Sequence, residues 1–228
     1  MIEDDSRRVV KESPLLTSEE SSEASPVATD SGTEEAIGIE RTRSIARTGL
    51  IAAVHATATL LILQLVSIFA WGPVQFRISE VLTVLPLFFA EAVPGLTVGT
   101  FLANLINMSL SGSGALGMLD VVFGTLATFL GALWTYRLRK RNILLAIAGP
   151  VIVNALIVPA YLPIIFSAMG NLEAVYNIPF LGISAAGSFV FMYLFGLAFV
   201  ALGQFVVIYI IGLPLVFAMS RIITRQET

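Results

Sequence analysis

The stretch "LDVVFGTLATFLGALWTYRLRKR", residues 119–141, decides the fold of this chain. Its apolar part is about as long as a helix must be to cross the hydrocarbon core of a bilayer. Its end, "RLRKR", places four basic residues within five positions. Because Lys and Arg are concentrated in the cytoplasmic loops of membrane proteins, the pattern predicts a spanning helix over 118–136 that ends at the cytoplasmic face.

The rest of the chain has the composition of a membrane protein. Of its 228 residues, 56% are hydrophobic and 13% are charged, against about 25% charged in soluble domains. Between positions 49 and 220 there are nine charged residues. So few charges cannot cover a water-soluble surface. The sequence therefore predicts a multi-pass protein of the cell membrane, in contact with lipid and without a nucleic-acid partner.

The first 48 residues differ from this apolar region. They contain 11 of the 16 acidic residues, are rich in Ser, Glu and Thr, and show no hydrophobic periodicity. Segments of this composition bury too little apolar surface to offset the entropy lost on ordering. We therefore expect a disordered cytoplasmic tail over 1–48 and one transmembrane domain over 49–222. The sequence contains no cysteine, so disulfide bonds are excluded.

Charge and length together predict six spans. Arg41, Arg43 and Arg47 precede the first apolar run and place the amino terminus in the cytoplasm. The first span then leaves the cytoplasm, and the span that ends at Tyr136 returns to it. The residues between them must enter and leave from the outside, which requires two short spans with a turn at "EAVPG" (91–95). The predicted spans are 49–71, 81–92, 95–110, 118–136, 143–168 and one within 180–219, preceded by a lead-in.

The carboxyl end follows the same rule. Arg221 and Arg225 close the last apolar stretch and keep that terminus in the cytoplasm. The predicted fold is therefore an all-α membrane protein, a bundle of six transmembrane helices with both termini inside the cell.

Polar residues are concentrated toward the outer end of this predicted bundle. "QFRISE" (75–80) lies there between two apolar runs. Ionisable groups at membrane depth cost about 2.5–3.5 kcal/mol on insertion scales, and they are usually paired or functional. Converging donors and acceptors predict a pocket for a polar solute that arrives from outside. The candidate binding residues are Gln75, Arg77, Glu80, Asn104, Asp120, Asn154 and Gln204.

Each candidate also has a purely structural interpretation. Arg77 and Glu80, three residues apart, can form a local ion pair that anchors a helix end. Asp120 can cap the amino terminus of a helix. A single Asn or Gln in a span often hydrogen-bonds a neighbouring helix. His55 is the only histidine, so it has no histidine companion for metal binding, and we expect it to be packed or interfacial.

Small residues recur at intervals of four on several predicted spans. Ala52 and Ala56 lie on the first span, and Gly49, Ala53 and Thr57 form an adjacent stripe. Small side chains at this spacing let helix backbones approach closely. We expect internal packing or, on the first span, a face that contacts another protein.

The sequence lacks the common catalytic, metal-binding and nucleotide-binding motifs. It has no phosphate-binding Gly-rich loop, no HExxH motif, no paired intramembrane aspartates and no nucleophile elbow. We therefore expect neither an enzyme nor a resident cofactor or metal. Any energy input must come from a partner or from an ion gradient.

Several segments resemble one family of membrane proteins. They are "QFRISEVLTVLP" (75–86), "EAVPGLTVG" (91–99), "ANL" (103–105), "LDVVFGTLATFLGALWTYRLRK" (119–140) and "GPVIVNALIV" (149–158). In nearly unbroken order over about 47–162, they resemble the QueT-type S components, the substrate-binding membrane subunits of energy-coupling-factor (ECF) transporters. "SLSGSG" (109–114) and the charged tail lie outside the resemblance, and Gln204 stands where family members tend to carry Glu.

The resemblance implies a six-helix S component that captures a queuosine precursor, a 7-deazaguanine, outside the cell. A transmembrane coupling subunit and two cytoplasmic ATPases would drive its uptake. Ala52 and Ala56 match the small residues that contact the coupling subunit in S components.

The resemblance also implies roles for the polar residues. Glu80 or Asp120 would accept hydrogen bonds from N1–H and the exocyclic amine of the base. Further hydrogen bonds would come from Asn104, Asn154 or Gln204, and Trp71, Phe76 or Tyr161 would stack on the ring.

Other functions stay open on sequence grounds. The chain can be an S component for a different vitamin or heteroaromatic solute, or a structural membrane protein whose polar residues only pack helices. An intramembrane enzyme is disfavoured because the catalytic motifs are missing.

Overall fold

The structure is a computed structural model that describes residues 31–65, 77–178 and 182–226. Its α-helices are α1 (Ser31–Leu65), α2 (Ala92–Leu110), α3 (Thr125–Leu138), α4 (Ile143–Ala168), α5 (Leu172–Tyr176), α6 (Phe189–Phe205) and α7 (Leu213–Gln226). A 3₁₀ helix, Ile78–Leu87, lies between α1 and α2, and a π-helical turn, Asp120–Gly124, leads into α3.

Helix α1 begins before the predicted first span. It starts at Ser31 instead of Gly49, so residues 31–48 are helical where the sequence predicted a disordered tail. Most side chains over 33–48 are exposed. The physical reason is that a helix makes its backbone hydrogen bonds internally, so a polar segment can extend a helix that the apolar part has already nucleated. Residues 1–30 of the predicted tail lie outside the described residues.

Five helical segments are long and apolar enough to cross a membrane. They are Thr33–Gln64, Ala92–Leu110, Gly114–Leu138, Ile143–Ala168 and Phe189–Arg225. The predicted second span corresponds to the 3₁₀ helix, whose ten residues rise only about 20 Å at roughly 2 Å each, against about 30 Å of hydrocarbon. Among the described residues, five helices are long enough to span, and the predicted short second span is a 3₁₀ helix too short to cross the hydrocarbon.

Ion pairs at the two ends of the bundle show how the 3₁₀ helix runs. Arg47 Nη1 on α1 lies 3.5 Å from Glu91 Oε1, next to the start of α2. Arg77 Nη2 lies 4.0 Å from Asp120 Oδ2. Residues 77–91 thus connect one end of the bundle with the other, as the predicted order of spans requires. Which end faces the cytoplasm stays a prediction.

Helices α1 and α2 pack through the small residues that the sequence singled out. A Cβ atom added at Gly99 would lie 2.7 Å from the carbonyl oxygen of Ala52. The helix backbones can approach this closely only because Gly99 has no side chain. The stripe of Ala52 and Ala56 on α1 is therefore part of an internal contact surface.

Helices α3 and α4 are joined by a hydroxyl that compensates for a proline. Pro150 lies inside α4 and has no N–H, so the Ala146 carbonyl loses its helical donor. Thr135 Oγ1 on α3 lies 3.1 Å from that carbonyl oxygen. The same hydroxyl lies 3.1 Å from the Gly131 carbonyl oxygen. That oxygen also accepts the helical N–H of Thr135, so the Ala146 carbonyl is the acceptor that depends on the Thr135 hydroxyl.

The last apolar stretch forms one continuous helix, and a short helix and a small hairpin precede it. The lead-in is α5 followed by a small hairpin, in which β1 (Asn177–Ile178) pairs antiparallel with β2 (Ile183–Ser184). The long helix, Phe189–Arg225, joins α6 to α7 through a π-helical segment. Its 37 residues extend about 55 Å, so it is longer than the hydrocarbon core is thick.

Candidate functional site

The amino end of the 3₁₀ helix brings two charged side chains into the bundle. Glu80 is 3% exposed, and the Arg77 side chain is 15% exposed. Among the described residues, the salt bridges do not include one between them. Arg77 has φ −80° and ψ 85°, outside the helical region, so helical i,i+3 geometry does not apply to the pair. The local ion pair that the spacing suggested is therefore not formed.

Asp120 is the centre of a polar network that joins three segments. The Tyr161 hydroxyl on α4 donates to Asp120 Oδ1 at 2.7 Å, and Arg77 lies 4.0 Å from Oδ2. Asn104 Nδ2 on α2 donates to the Asp120 backbone carbonyl at 2.9 Å. The Asp120 carboxylate makes no capping bond at the start of the π-helical turn or of α3, so the capping interpretation is not supported.

The polar network around Asp120 has room because Gly124 has no side chain. A Cβ atom at this position would lie 2.8 Å from Asp120 Oδ1, 2.9 Å from Asn104 Nδ2 and 3.2 Å from the Tyr161 hydroxyl. All three atoms are side-chain ends that the network holds in place. Any side chain at position 124 would displace at least one of them, so glycine is required for the observed arrangement.

A chain of side-chain contacts runs from α1 to the same region. His55 is buried, and its Nε2 lies 3.0 Å from Thr100 Oγ1. Thr100 donates to Thr128 Oγ1 at 3.3 Å, and Thr128 Oγ1 lies 3.2 Å from the Gly124 carbonyl. His55 is thus a packed side chain, as predicted. Within the described residues, no group of three or more His, Cys, Asp or Glu is placed to hold a metal ion.

Three of the predicted residues border one small cavity. Arg77, Asn104 and Asp120 line it, together with residues that the sequence did not nominate: Leu63, Asn107, Met108, Ser111, Ser113, Gly117, Leu162 and Ile165. The cavity measures about 20 Å³, which is room for about one water molecule. A heteroaromatic solute can enter only if the surrounding segments move apart.

The remaining described candidates are buried in the 3₁₀ helix, in α4 and in α6, and they do not line the cavity. Glu80, Asn154 and Gln204 are each 4% exposed or less. Glu80 Oε2, Asn154 Nδ2 and Gln204 Oε1 have no hydrogen-bond partner among the described residues. Buried polar atoms are nearly always paired with protein, water or ligand, so atoms of this kind require an explanation.

Gln75, Trp71 and Phe76 lie outside the described residues. Of the aromatic candidates, Tyr161 is described. Its ring stacks on Phe123, with ring centroids 6.0 Å apart, while its hydroxyl binds Asp120. Tyr161 is therefore a hydrogen-bonding member of the network, a role that the sequence did not identify.

Ala52 and Ala56, the predicted partner-contact residues, are buried within this chain. They are 5% and 8% exposed, on the side of α1 that packs on α2. In this structure they face α2, and a contact of these residues with a partner stays a prediction. The adjacent stripe of Gly49, Ala53 and Thr57 is exposed instead.

Comparison with known protein families places this chain in one of them. The family model described as QueT transporter matches residues 45–221. No curated protein and no solved structure matches the chain.

Proposed function

The chain belongs to the QueT transporter family, and we propose that it is the S component of an ECF importer that binds a 7-deazaguanine. The match covers more than half of the 228 residues, including all five long apolar helices within their membrane portions. The observation that carries the proposal for the ligand is Glu80, a buried carboxylate with an oxygen that has no partner among the described residues.

Glu80 suits the donor edge of a guanine-like base. That edge offers N1–H and an exocyclic amine side by side, and a carboxylate can accept from both. Asp120 is less available because Tyr161 donates to one of its oxygens and Arg77 faces the other. We therefore assign base recognition to Glu80 and the positioning of Arg77 and Tyr161 to Asp120.

Two amide side chains complement this assignment. Asn154 Nδ2 is a buried donor and Gln204 Oε1 a buried acceptor, each without a partner among the described residues. A donor is what the O6 atom of the base requires, and an acceptor suits its ring N–H. Helix α4, which carries Asn154, contacts both the 3₁₀ helix of Glu80 and α6 of Gln204. Helix α4 thus contacts each of the two other elements that carry these side chains.

Uptake would be driven by partners. The chain itself has no nucleotide-binding motif, so we propose a transmembrane coupling subunit and two cytoplasmic ATPases as the source of energy. The exposed stripe of Gly49, Ala53 and Thr57 on α1 is our candidate for the coupling contact, because small side chains permit close helix packing inside a bilayer.

A binding measurement tests the ligand assignment. Calorimetric titration of the purified protein with 7-deazaguanine is expected to show binding, and Glu80→Gln is expected to weaken it about 10- to 150-fold. That range corresponds to one hydrogen bond to a charged group, about 1.5–3 kcal/mol. Glu91→Gln is the matched control, since Glu91 pairs with Arg47 at the other end of the bundle.

Unchanged affinity of the Glu80→Gln protein would remove Glu80 from the site. Binding of another vitamin or heteroaromatic solute in place of 7-deazaguanines would leave an S component with a different ligand. A protein that binds no solute and does not co-purify with a coupling subunit and ATPases would contradict the transport proposal and favour a structural role.

A further inference from the structure

A groove on the lipid-facing surface of the bundle lies between α3 and α4, at the end where the basic stretch 137–141 is located. It measures about 450 Å³, which is within the range of about 300–1,000 Å³ typical of pockets that hold small molecules. Leu130 and Arg137 are exposed, so the groove is open to the surroundings of the bundle. Apart from one arginine, its lining is hydrophobic: Leu130, Leu133, Trp134, Arg137, Leu138 and Val153.

The indole of Trp134 forms a fixed wall of this groove. Its Nε1–H donates to the Leu145 carbonyl oxygen at 3.1 Å. The ring lies directly against the backbone of α4, where a Cβ atom added at Gly149 would lie 2.6 Å from Trp134 Cγ. Tryptophan side chains are concentrated where the hydrocarbon of a bilayer meets the headgroups. Trp134 therefore marks the level at which a lipid chain gives way to its headgroup.

The headgroup end of the groove carries positive charge that the chain does not neutralise. Arg137 lies about 4.5 Å beyond Trp134 along the axis of α3, at 1.5 Å per residue, and three more basic residues follow within 138–141. None of these four forms an ion pair with a described acidic residue. The sequence itself has no Asp or Glu between Asp120 and Glu173. Basic clusters of this kind next to a membrane span attract anionic headgroups.

We propose that this groove is a binding site for one anionic phospholipid of the cytoplasmic leaflet, with the phosphate at Arg137 and an acyl chain between Trp134 and Val153. The basic end of the bundle is the predicted cytoplasmic end, and anionic lipids give that leaflet its negative surface potential. The proposal concerns the lipid-facing surface of the bundle and does not depend on which solute the protein binds.

An amphiphilic anion satisfies both parts of the groove. A free phosphate ion would pair with Arg137 but leave the walls formed by Leu130, Trp134 and Val153 without an apolar partner. A lipid with a neutral headgroup would cover those walls but leave the basic residues without a net negative charge beside them. A lipid that carries net negative charge gains from both the buried apolar area and the electrostatic attraction.

Quenching of tryptophan fluorescence by brominated lipids tests the site on the full-length protein in bilayers. The chain has two tryptophans, so Trp71→Phe leaves Trp134 as the single reporter, inside the groove. The protein is reconstituted in phosphatidylcholine, and brominated phosphatidylglycerol or brominated phosphatidylcholine is added in steps. Phosphatidylglycerol is expected to reach half-maximal quenching at a mole fraction about fivefold lower, as one basic residue beside an anionic headgroup implies.

Variants in the same background connect that preference to the groove. Arg137→Gln is expected to bring the two quenching curves together. Arg221→Gln removes the same charge from an exposed position on α7 and is expected to leave the curves apart. Val153→Phe would fill the groove and is expected to abolish the preference, whereas Ile152→Phe, at the exposed neighbour outside the lining, is its matched control. An excess of inorganic phosphate is expected to leave the curves unchanged.

Each of four results would overturn the site. Identical curves for the two lipids would show that the groove does not select a charged headgroup. An equal loss of preference in Arg137→Gln and Arg221→Gln would mean that the basic residues act only as a diffuse surface charge. Loss of the preference in inorganic phosphate would identify a site for a free anion, and no quenching by either lipid would mean that a protein partner covers the groove. The assay contains no solute, so these results leave the proposed function untouched.

Discussion

Replacing Gly124 with alanine is expected to weaken solute binding and to lower the stability of the fold. The added Cβ would lie within 2.8–3.2 Å of Asp120 Oδ1, Asn104 Nδ2 and the Tyr161 hydroxyl. These atoms end flexible side chains, so the clash can be relieved without moving a helix. Relief must, however, displace the groups that hold Asp120 in position.

The stability cost follows from the bonds at risk. Losing the hydrogen bond from Tyr161 to the Asp120 carboxylate costs about 1.5–3 kcal/mol, and alanine regains up to about 1 kcal/mol over glycine within a helix. We therefore expect the free energy of unfolding to fall by about 0.5–2 kcal/mol. Unfolding by SDS titration, followed by tryptophan fluorescence, measures this change.

Affinity is expected to fall at least tenfold, because Asp120 orients Arg77 and Tyr161 beside the cavity. Calorimetric titration with 7-deazaguanine measures it. Gly38→Ala is the matched control, since no atom lies within 4 Å of a Cβ there. Combining Gly124→Ala with Tyr161→Phe should cost less than the sum of the two single changes, because both act on one contact. Wild-type affinity in Gly124→Ala would refute the reasoning.

Two further predictions concern the helix contacts. Thr135→Val is expected to lower the free energy of unfolding by about 1–3 kcal/mol, because the Ala146 carbonyl beside Pro150 then loses its hydrogen-bond donor. SDS titration measures this loss, and an unchanged unfolding midpoint would contradict the prediction. Gly99→Ala is expected to cost about 1–3 kcal/mol or more by the same assay, because its Cβ would lie 2.7 Å from a backbone oxygen of Ala52 that cannot turn away. A neutral effect there would mean that α1 and α2 are not packed as described.

Matched variants keep these two tests specific. Thr97→Val removes a hydroxyl whose bond, 2.8 Å to the Val93 carbonyl, stays within its own helix. Gly49→Ala adds a methyl group where no atom lies within 4 Å. Both are expected to leave the free energy of unfolding within about 0.5 kcal/mol of the wild-type value, as most surface changes do.

The sequence was sufficient to predict the class of the protein and much of its helix pattern. A segment with nine charged residues over positions 49–220 cannot form a water-soluble surface, so it must lie in a lipid bilayer. The length of its helices then follows from the thickness of the bilayer. Counting crossings placed Arg77 and Asp120 at one end and Arg47 and Glu91 at the other, and the structure brings each pair together. Family membership was also visible in the ordered segments.

The sequence alone did not distinguish two neighbouring faces of α1. Ala52 and Ala53 belong to adjacent stripes of small residues, and their spacing fits a partner contact equally well. The structure buries the first and exposes the second. Successive residues on a helix point about 100° apart, so only the position of α2 decides which stripe is internal.

Only the tertiary structure distinguishes the two buried carboxylates, Glu80 and Asp120, by their partners. Glu80 and Asp120 are both isolated carboxylates in the sequence, and either could recognise a base. Tyr161, 41 positions beyond Asp120, occupies one carboxylate and leaves the other available. Local sequence encodes periodicity and solvent preference, whereas the pairing of buried polar groups depends on which distant side chains the packed helices bring within about 3 Å of each other.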